Sequence, residues 1–390
     1  MNSPFFVLIN IIAAALNSLT GQIFHLPERT TVDIIKEAFY PDETHIVQTE
    51  DNYILTLHRI PHCRNNSVAP KGPILLMHGL LQSSADWLVL GEKSLGFILA
   101  DAGYDVWLGN SRGNTYSKAH VNLNPLLDAK SFFDFSYHEM GKYDLPAVID
   151  YILNATGTSK IPYVGYSEGT TQFWVMMSER PEYNDKISQA NFWAPVTNMY
   201  RITSIPINAL AAMGGIETLA RAIGKYELFS HFTTGNSIRV ICQNADWLCT
   251  EFFNLIGSSL ERMPNKALKT KILENFPAGI SFKQLFHYVQ GTRSGVFRPF
   301  DYGTEKNLEI YKKPMPDPYN ISRTTIPVFM YYGGSDIYIN NEILINEVAN
   351  EMQHVTVDLI PYENFNHLDF MYSTNADWLS SKTLENLNLA

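Results

Sequence analysis

Ser167 lies in Gly165-Tyr-Ser-Glu-Gly169, with the apolar run Ile161–Val164 before it and Phe173, Trp174, Met176 and Met177 on a helix-length stretch after it. That order of residue types predicts a strand, a turn too sharp for bulk and then a helix. Such a turn holds the serine hydroxyl up, with the free N–H groups of the first helical turn beside it. A serine hydroxyl is a weak nucleophile. It needs a base to take its proton and a carboxylate to fix the tautomer of that base, roles for which His367 and Asp336 are the candidates. Negative charge developing on a carbonyl oxygen attacked by Ser167 would be held by the backbone N–H groups of Glu168 and of Leu80, the latter in His78-Gly-Leu-Leu81.

The elements that must position these groups follow from the pattern of apolar runs. Thr30-Thr-Val-Asp33 reads as a capping box opening a short helix that ends by Pro41. Strands at 45–49 and 53–60 flank Glu50-Asp-Asn52, where Asp51-Asn52 can take the positive φ of a hairpin turn. Further apolar runs at 73–77, 104–108, 161–164, 190–193, 326–332 and 355–360 are separated by helical segments. That alternation predicts a mostly parallel central sheet with crossover helices. Ligands bind beyond the carboxyl ends of such strands, and the 78–81 stretch, Ser167, Asp336 and His367 all follow a strand. His354 precedes its strand and so lies at the wrong end. The stretch from Asp336 to His367 has room for one helix (342–352) and one strand, and the chain order Ser167, Asp336, His367 is that of α/β-hydrolases. The other reading of Asp336 is an Asx turn in Gly333-Gly-Ser-Asp.

Composition bounds what surrounds this site. Hydrophobic residues make up 45% of the 390 and charged residues 17%, so a large core is available and disorder is not expected. A net charge of −10 without a basic stripe argues against a nucleic-acid partner. The run Phe5–Leu16, interrupted by Asn10, is too short to span a bilayer and reads as a secretory signal peptide over 1–21, although no Lys or Arg precedes it. No later stretch qualifies as a membrane helix. Sequons at Asn65, Asn154 and Asn320 fit a secretory route. Of three cysteines, Cys242 and Cys249 are close enough to close a short loop, which leaves Cys63 as a free thiol. No His/Cys pattern has zinc spacing, and neither a metal nor a cofactor is expected.

Longer motifs carry a resemblance. Phe39-Tyr-Pro, Thr49-Glu-Asp-Asn-Tyr-Ile-Leu, His58-Arg-Ile-Pro, Met77-His-Gly-Leu-Leu, Val106-Trp-Leu-Gly-Asn-Ser-Arg-Gly-Asn-Thr, Lys142-Tyr-Asp-Leu-Pro, Gly165-Tyr-Ser-Glu-Gly-Thr-Thr, Gly333-Gly-Ser-Asp and Asn366-His-Leu-Asp-Phe span nearly the whole chain after residue 21. Together they resemble the acid lipases of gastric and lysosomal type and their insect relatives. The resemblance implies an α/β-hydrolase fold and hydrolysis of neutral-lipid esters, triacylglycerol or sterol ester, by Ser167, Asp336 and His367, with Leu80 and residue 168 at the oxyanion hole. It also implies a secreted or lysosomal protein acting at a lipid–water interface, with a cap inserted between the strand ending near Pro195 and the one starting near Ile326. The expected division is a core in two parts, 22–196 and 306–390, around a cap at 197–305 with helices over 209–223, 251–260 and 282–289. Apolar spacing in those helices is first a packing signal and second a lid or acyl tunnel. A non-catalytic lipid carrier on the same fold, an interfacial binding protein needing only the cap, and a peptidase or other serine esterase for non-lipid substrates are the alternatives.

The chain departs from the family at the turn, where His and Gln usually flank the serine and Tyr166 and Glu168 stand instead. A carboxylate at 168 would repel the oxyanion. Protonation would relieve that cost, as would a partner such as Arg112.

Overall fold

The computed structural model describes residues 29–65, 68, 70–213, 224, 226–374 and 377–388. The expected leader at 1–21 lies outside them. Thr30 opens the first of the described helices, Thr31–Glu37, through the expected capping box with Asp33. The entry hairpin pairs β1 (Glu43–Gln48) with β2 (Tyr53–Ile60) antiparallel, and Asn52 takes φ 71° in its turn. The edge strand alternates between exposed and covered side chains, as a strand with one face on the core must.

Beyond the hairpin come β3 (Gly72–Met77), β4 (Tyr104–Leu108), the two-residue β5 (Ala119–His120), β6 (Ile161–Tyr166) and β7 (Ile187–Trp193). A detached pair, β8 (Glu227–Leu228) and β9 (Ile280–Ser281), precedes β10 (Val328–Tyr332) and β11 (Val355–Leu359). The main sheet runs β1-β2-β4-β3-β6-β7-β10-β11, with β5 beside β2. From β4 onward every neighbour is parallel. Its central strands are buried on both faces, with Leu75, Leu76, Val106, Val164, Phe192 and Met330 fully enclosed, which is why they read as unbroken apolar runs. β10 starts two residues later than the apolar run because Pro327 has no N–H for the ladder; only its carbonyl joins, accepting from the Ala190 N–H at 2.9 Å.

Helices Leu145–Thr156 and Glu168–Glu179 pack on one another, and Leu95–Asp101 packs on Asp377–Leu387, giving the helical layers that cover the sheet. The segment expected as one helix over 342–352 is helical from Asn341 to Glu351, but its middle, Leu344–Val348, is wound as a wider π turn.

Between β7 and β10 the chain leaves the sheet and becomes largely helical. Helix Ile205–Ala212 begins before the expected 209, and residues 214–223 lie outside the description. Asn236–Asn244 and Asp246–Leu255 form a helical hairpin clasped by the Cys242–Cys249 disulfide, so the helix expected over 251–260 starts and ends five residues early. Cys63 is unbridged and buried. The helix expected over 282–289 continues to Ser294, where Gly295 at φ 68° supplies the left-handed cap.

Candidate active site

β6 delivers Ser167 to the carboxyl end of the sheet, where its N–H still bonds the Trp193 carbonyl at 2.9 Å. The serine itself takes φ 50° and ψ −114°, a conformation costing about 1–3 kcal/mol that only enclosing structure can hold. Gly169 makes the turn possible: a Cβ there would come within 2.5 Å of the Met77 carbonyl oxygen, so the first turn of helix Glu168–Glu179 could not seat against β3. A Cβ on Gly165 would meet the Tyr163 ring at 2.8 Å.

The structure brings Ser167, His367 and Asp336 into one line. His367 Nε2 lies 2.7 Å from Ser167 Oγ, and His367 Nδ1 lies 2.7 Å from Asp336 Oδ2. Asp336 offers only acceptors, so Nδ1 carries the proton and Nε2 is left to accept the serine O–H. The second Asp336 oxygen accepts the Tyr338 N–H at 2.9 Å, the Asx-type bond foreseen for this turn, so both readings of the residue describe the same carboxylate. Asn366, missed in the sequence although it adjoins His367, joins the two loops: its Oδ1 accepts the N–H groups of Ile337 (3.1 Å) and His367 (2.8 Å).

The stretch after β3 runs along the same cleft. Leu81 takes φ 67°, and the N–H of Leu80 has no acceptor among the described residues. The N–H of Glu168, at the first position of its helix, can have no acceptor within that helix. The loop is held from several sides. Gln82 Oε1 accepts the Gly79 N–H at 3.0 Å, and Gln82 Nε2 donates to the Tyr372 hydroxyl, which donates to Asp86. His78 bonds the Gly79 carbonyl through Nδ1 at 2.8 Å and accepts the Ser111 N–H at Nε2. Burial pushes the His78 imidazole down to about 4, so it acts as a neutral strut. Neither Gln82 nor Tyr372 carries a local motif that sequence reading could have found.

The helical stretch between β7 and β10 backs the site. Its Gly257 carbonyl accepts the Leu368 N–H (2.8 Å), its Ser259 N–H bonds Asp369 (3.1 Å), and its Ala278 N–H bonds the Leu81 carbonyl (2.7 Å). A Cβ on Gly257, which has φ 106°, would crowd His367 Cβ at 3.2 Å.

Residues 166 and 168 depart from expectation in different ways. The Tyr166 hydroxyl donates to the His367 carbonyl at 2.8 Å, so it braces the base. Arg112 does not neutralise Glu168. It is held by Asp144 (Nε to Oδ1, 2.8 Å) and Asp51 (Nη2 to Oδ1, 2.8 Å), with its guanidinium 4.0 Å from the Tyr53 ring centroid. The Glu168 carboxyl is buried and takes bonds instead from Gln284 Nε2, 2.7 Å from each oxygen, and from the Tyr288 hydroxyl at 3.1 Å. Burial pushes this carboxyl up to about 7.

A family model described as a partial alpha/beta-hydrolase lipase region matches residues 31–91, and one described as the alpha/beta hydrolase fold matches 72–199. Lipase 3 of Drosophila melanogaster is 40% identical over 351 residues, covering 88% of this chain and 88% of its own. The chain belongs to the acid lipase family. Lysosomal acid lipase/cholesteryl ester hydrolase of Homo sapiens is 37% identical over 372 residues, 91% of this chain and 89% of its own. For the fold alone, a solved structure of a putative lipase from Sulfolobus solfataricus, 15% identical, superposes with a TM-score of 0.61 over 89% of this chain and 94% of its own. Within this acid lipase the three sequon asparagines, Asn65, Asn154 and Asn320, are exposed, although Asn66 and Ser67 lie outside the described residues. Among the described residues no helix is long and apolar enough to cross a membrane.

Proposed function

We propose that this acid lipase is a serine lipase that hydrolyses neutral-lipid carboxylic esters, triacylglycerol or sterol ester, through an acyl-enzyme on Ser167. The observation that carries the proposal is the unbroken hydrogen-bonded line from Asp336 through His367 to Ser167 at a strained turn. Ser167 Oγ attacks the ester carbonyl carbon as its proton passes to His367 Nε2, and the oxygen that becomes negative is held by the Leu80 and Glu168 N–H groups. The carbon–alkoxide bond then breaks, and His367 returns the proton to the departing alcohol. Water, deprotonated by His367, attacks the acyl carbon; Ser167 leaves with the proton and the fatty acid is released. Asp336 stabilises the imidazolium in both halves.

The lipid class is supported by what surrounds the site. In the proposed division, 22–196 and 306–390 form the core and 197–305 the cap. The cap packs some of its apolar residues inward, among them Ile238, Phe252 and Phe253, while Ile205, Val240, Ile241, Trp247 and Leu260 stay more than 40% exposed. Those exposed residues fit contact with a lipid–water interface. The same reading includes a lysosomal or extracellular destination by the secretory route, with the leader at 1–21 removed and Asn65, Asn154 and Asn320 glycosylated; the lysosomal acid lipase among its relatives supports the destination. Net charge −10 supports no nucleic-acid partner.

A panel of emulsified glycerol and sterol esters from two to eighteen carbons tests the proposal. Activity rising with acyl length and with formation of an interface is expected; hydrolysis confined to soluble short-chain esters, or to peptides, would replace lipase by esterase or peptidase. Absence of hydrolysis across the panel would favour the carrier.

A further inference from the structure

We propose that Glu168 is a positioning residue that works as a neutral carboxylic acid: uncharged, it braces the start of the Ser167 helix against helix Phe282–Ser294, and its ionisation turns ester cleavage down. The proposal rests on the reading above of the Glu168 N–H as an oxyanion donor.

Its basis is the company the carboxyl keeps. Gln284 Nε2 reaches both oxygens at 2.7 Å and the Tyr288 hydroxyl reaches one at 3.1 Å, so the donors are neutral. From the short helix Tyr137–Glu139 the group facing it is the Tyr137 phenol, which burial holds, like that of Tyr288, well above its ordinary range. His287 stacks on the Tyr137 ring at 3.8 Å, and burial pushes it down to about 3, so it is neutral as well. The nearby cations are engaged elsewhere: Lys283, the neighbour of Gln284, with Asp134 and Glu139, and Arg112 with Asp51 and Asp144. A carboxylate here would be a buried charge without a counter-ion. A carboxylic acid brings one O–H to donate. Gln172, one helical turn on, spends its Nε2 on Ser111 Oγ, and its Oε1 is buried with no partner among the described residues.

The sign of the pH effect follows. Burial raises the folded-state value to about 7, above the roughly 4.3 of an unfolded glutamic acid. The group's contribution to stability is therefore complete below the unfolded value and is lost as pH rises through the folded one. Ionisation also sets an anion on the very residue whose N–H must hold a negative oxygen, a repulsion of about ten- to a hundredfold in rate.

The experiment measures kcat/KM on one emulsified ester from pH 4 to 8.5 for the wild type, Glu168→Gln and Gln284→Leu. Glutamine keeps the shape and cannot ionise, so the ratio of Glu168→Gln to wild type should rise ten- to a hundredfold between pH 5 and pH 8. Gln284→Leu removes a donor that favours the ionised form, so its basic limb should move to higher pH. In parallel, Tm is followed against pH in the Ser167→Ala background with and without Glu168→Gln, which needs no turnover; the glutamine protein should gain stability relative to its parent as pH rises from the unfolded value of Glu168 to the folded one, and the gap should level off above it. A constant kcat/KM ratio together with a constant Tm gap overturns the proposal. Absence of turnover in every protein at every pH overturns instead the lipase reading beneath it.

Discussion

Ser167→Ala is expected to lower kcat by on the order of 10⁴ to 10⁶, and His367→Ala by a similar factor. The reason is geometric. His367 Nε2 is 2.7 Å from Ser167 Oγ, so neither residue does its part without the other. The double variant should accordingly be little worse than either single one, since two residues acting on one proton do not contribute additively. Residual hydrolysis above the uncatalysed rate would come from the Leu80 and Glu168 N–H groups and from substrate binding. Circular dichroism and adsorption to a lipid emulsion should stay near wild type, because Ser167→Ala removes a single oxygen from a turn that Gly165 and Gly169 shape without it. Activity of either single variant within tenfold of wild type would remove the assignment.

Arg112→Ala is expected to destabilise the fold by about 3–5 kcal/mol, read as a lowered denaturation midpoint in urea. Arg112 and Asp144 are both almost entirely buried, and the guanidinium also grips Asp51 in the β1–β2 hairpin turn. Removing the cation strands the Asp144 carboxylate inside the protein and frees the hairpin from the loop after β4. Deleting both partners should cost less than deleting Arg112 alone: Arg112→Met with Asp144→Leu should recover part of the loss, because no fully buried charge is then left unpaired and Asp51, 29% exposed, is open to water. An unchanged midpoint in Arg112→Ala would mean that water or another cation reaches Asp144.

Much of the site was legible because each of its residues follows a strand. Ser167 announces itself by the glycines around it, and Asp336 and His367 by their place after the last two apolar runs. The parallel sheet was equally plain, since strands buried on both faces leave continuous apolar stretches. Partner choice was not legible. Glu168 is satisfied by Gln284, 116 residues away, and the motif containing Arg112 says nothing of Asp51 and Asp144, 61 and 32 residues off. Both are decided by how the stretch between β7 and β10 and the hairpin fold back on the sheet, which local patterns do not encode. For the same reason Gly257, against the back of His367, and the Gln82–Tyr372–Asp86 relay under the loop after β3 carry no local signal. Element limits moved where backbone chemistry intervened: Pro327 delays strand β10, and Ala245, at φ −139°, splits the disulfide-clasped hairpin into two helices.

The central assignment is that Ser167 is an activated nucleophile, and covalent labelling with a fluorophosphonate followed by peptide mapping tests it most directly. One label per chain on Ser167 is predicted in the wild type, with no labelling in Ser167→Ala and greatly slowed labelling in His367→Ala. A label on another residue, or undiminished ester hydrolysis by protein that takes up no label, would contradict it.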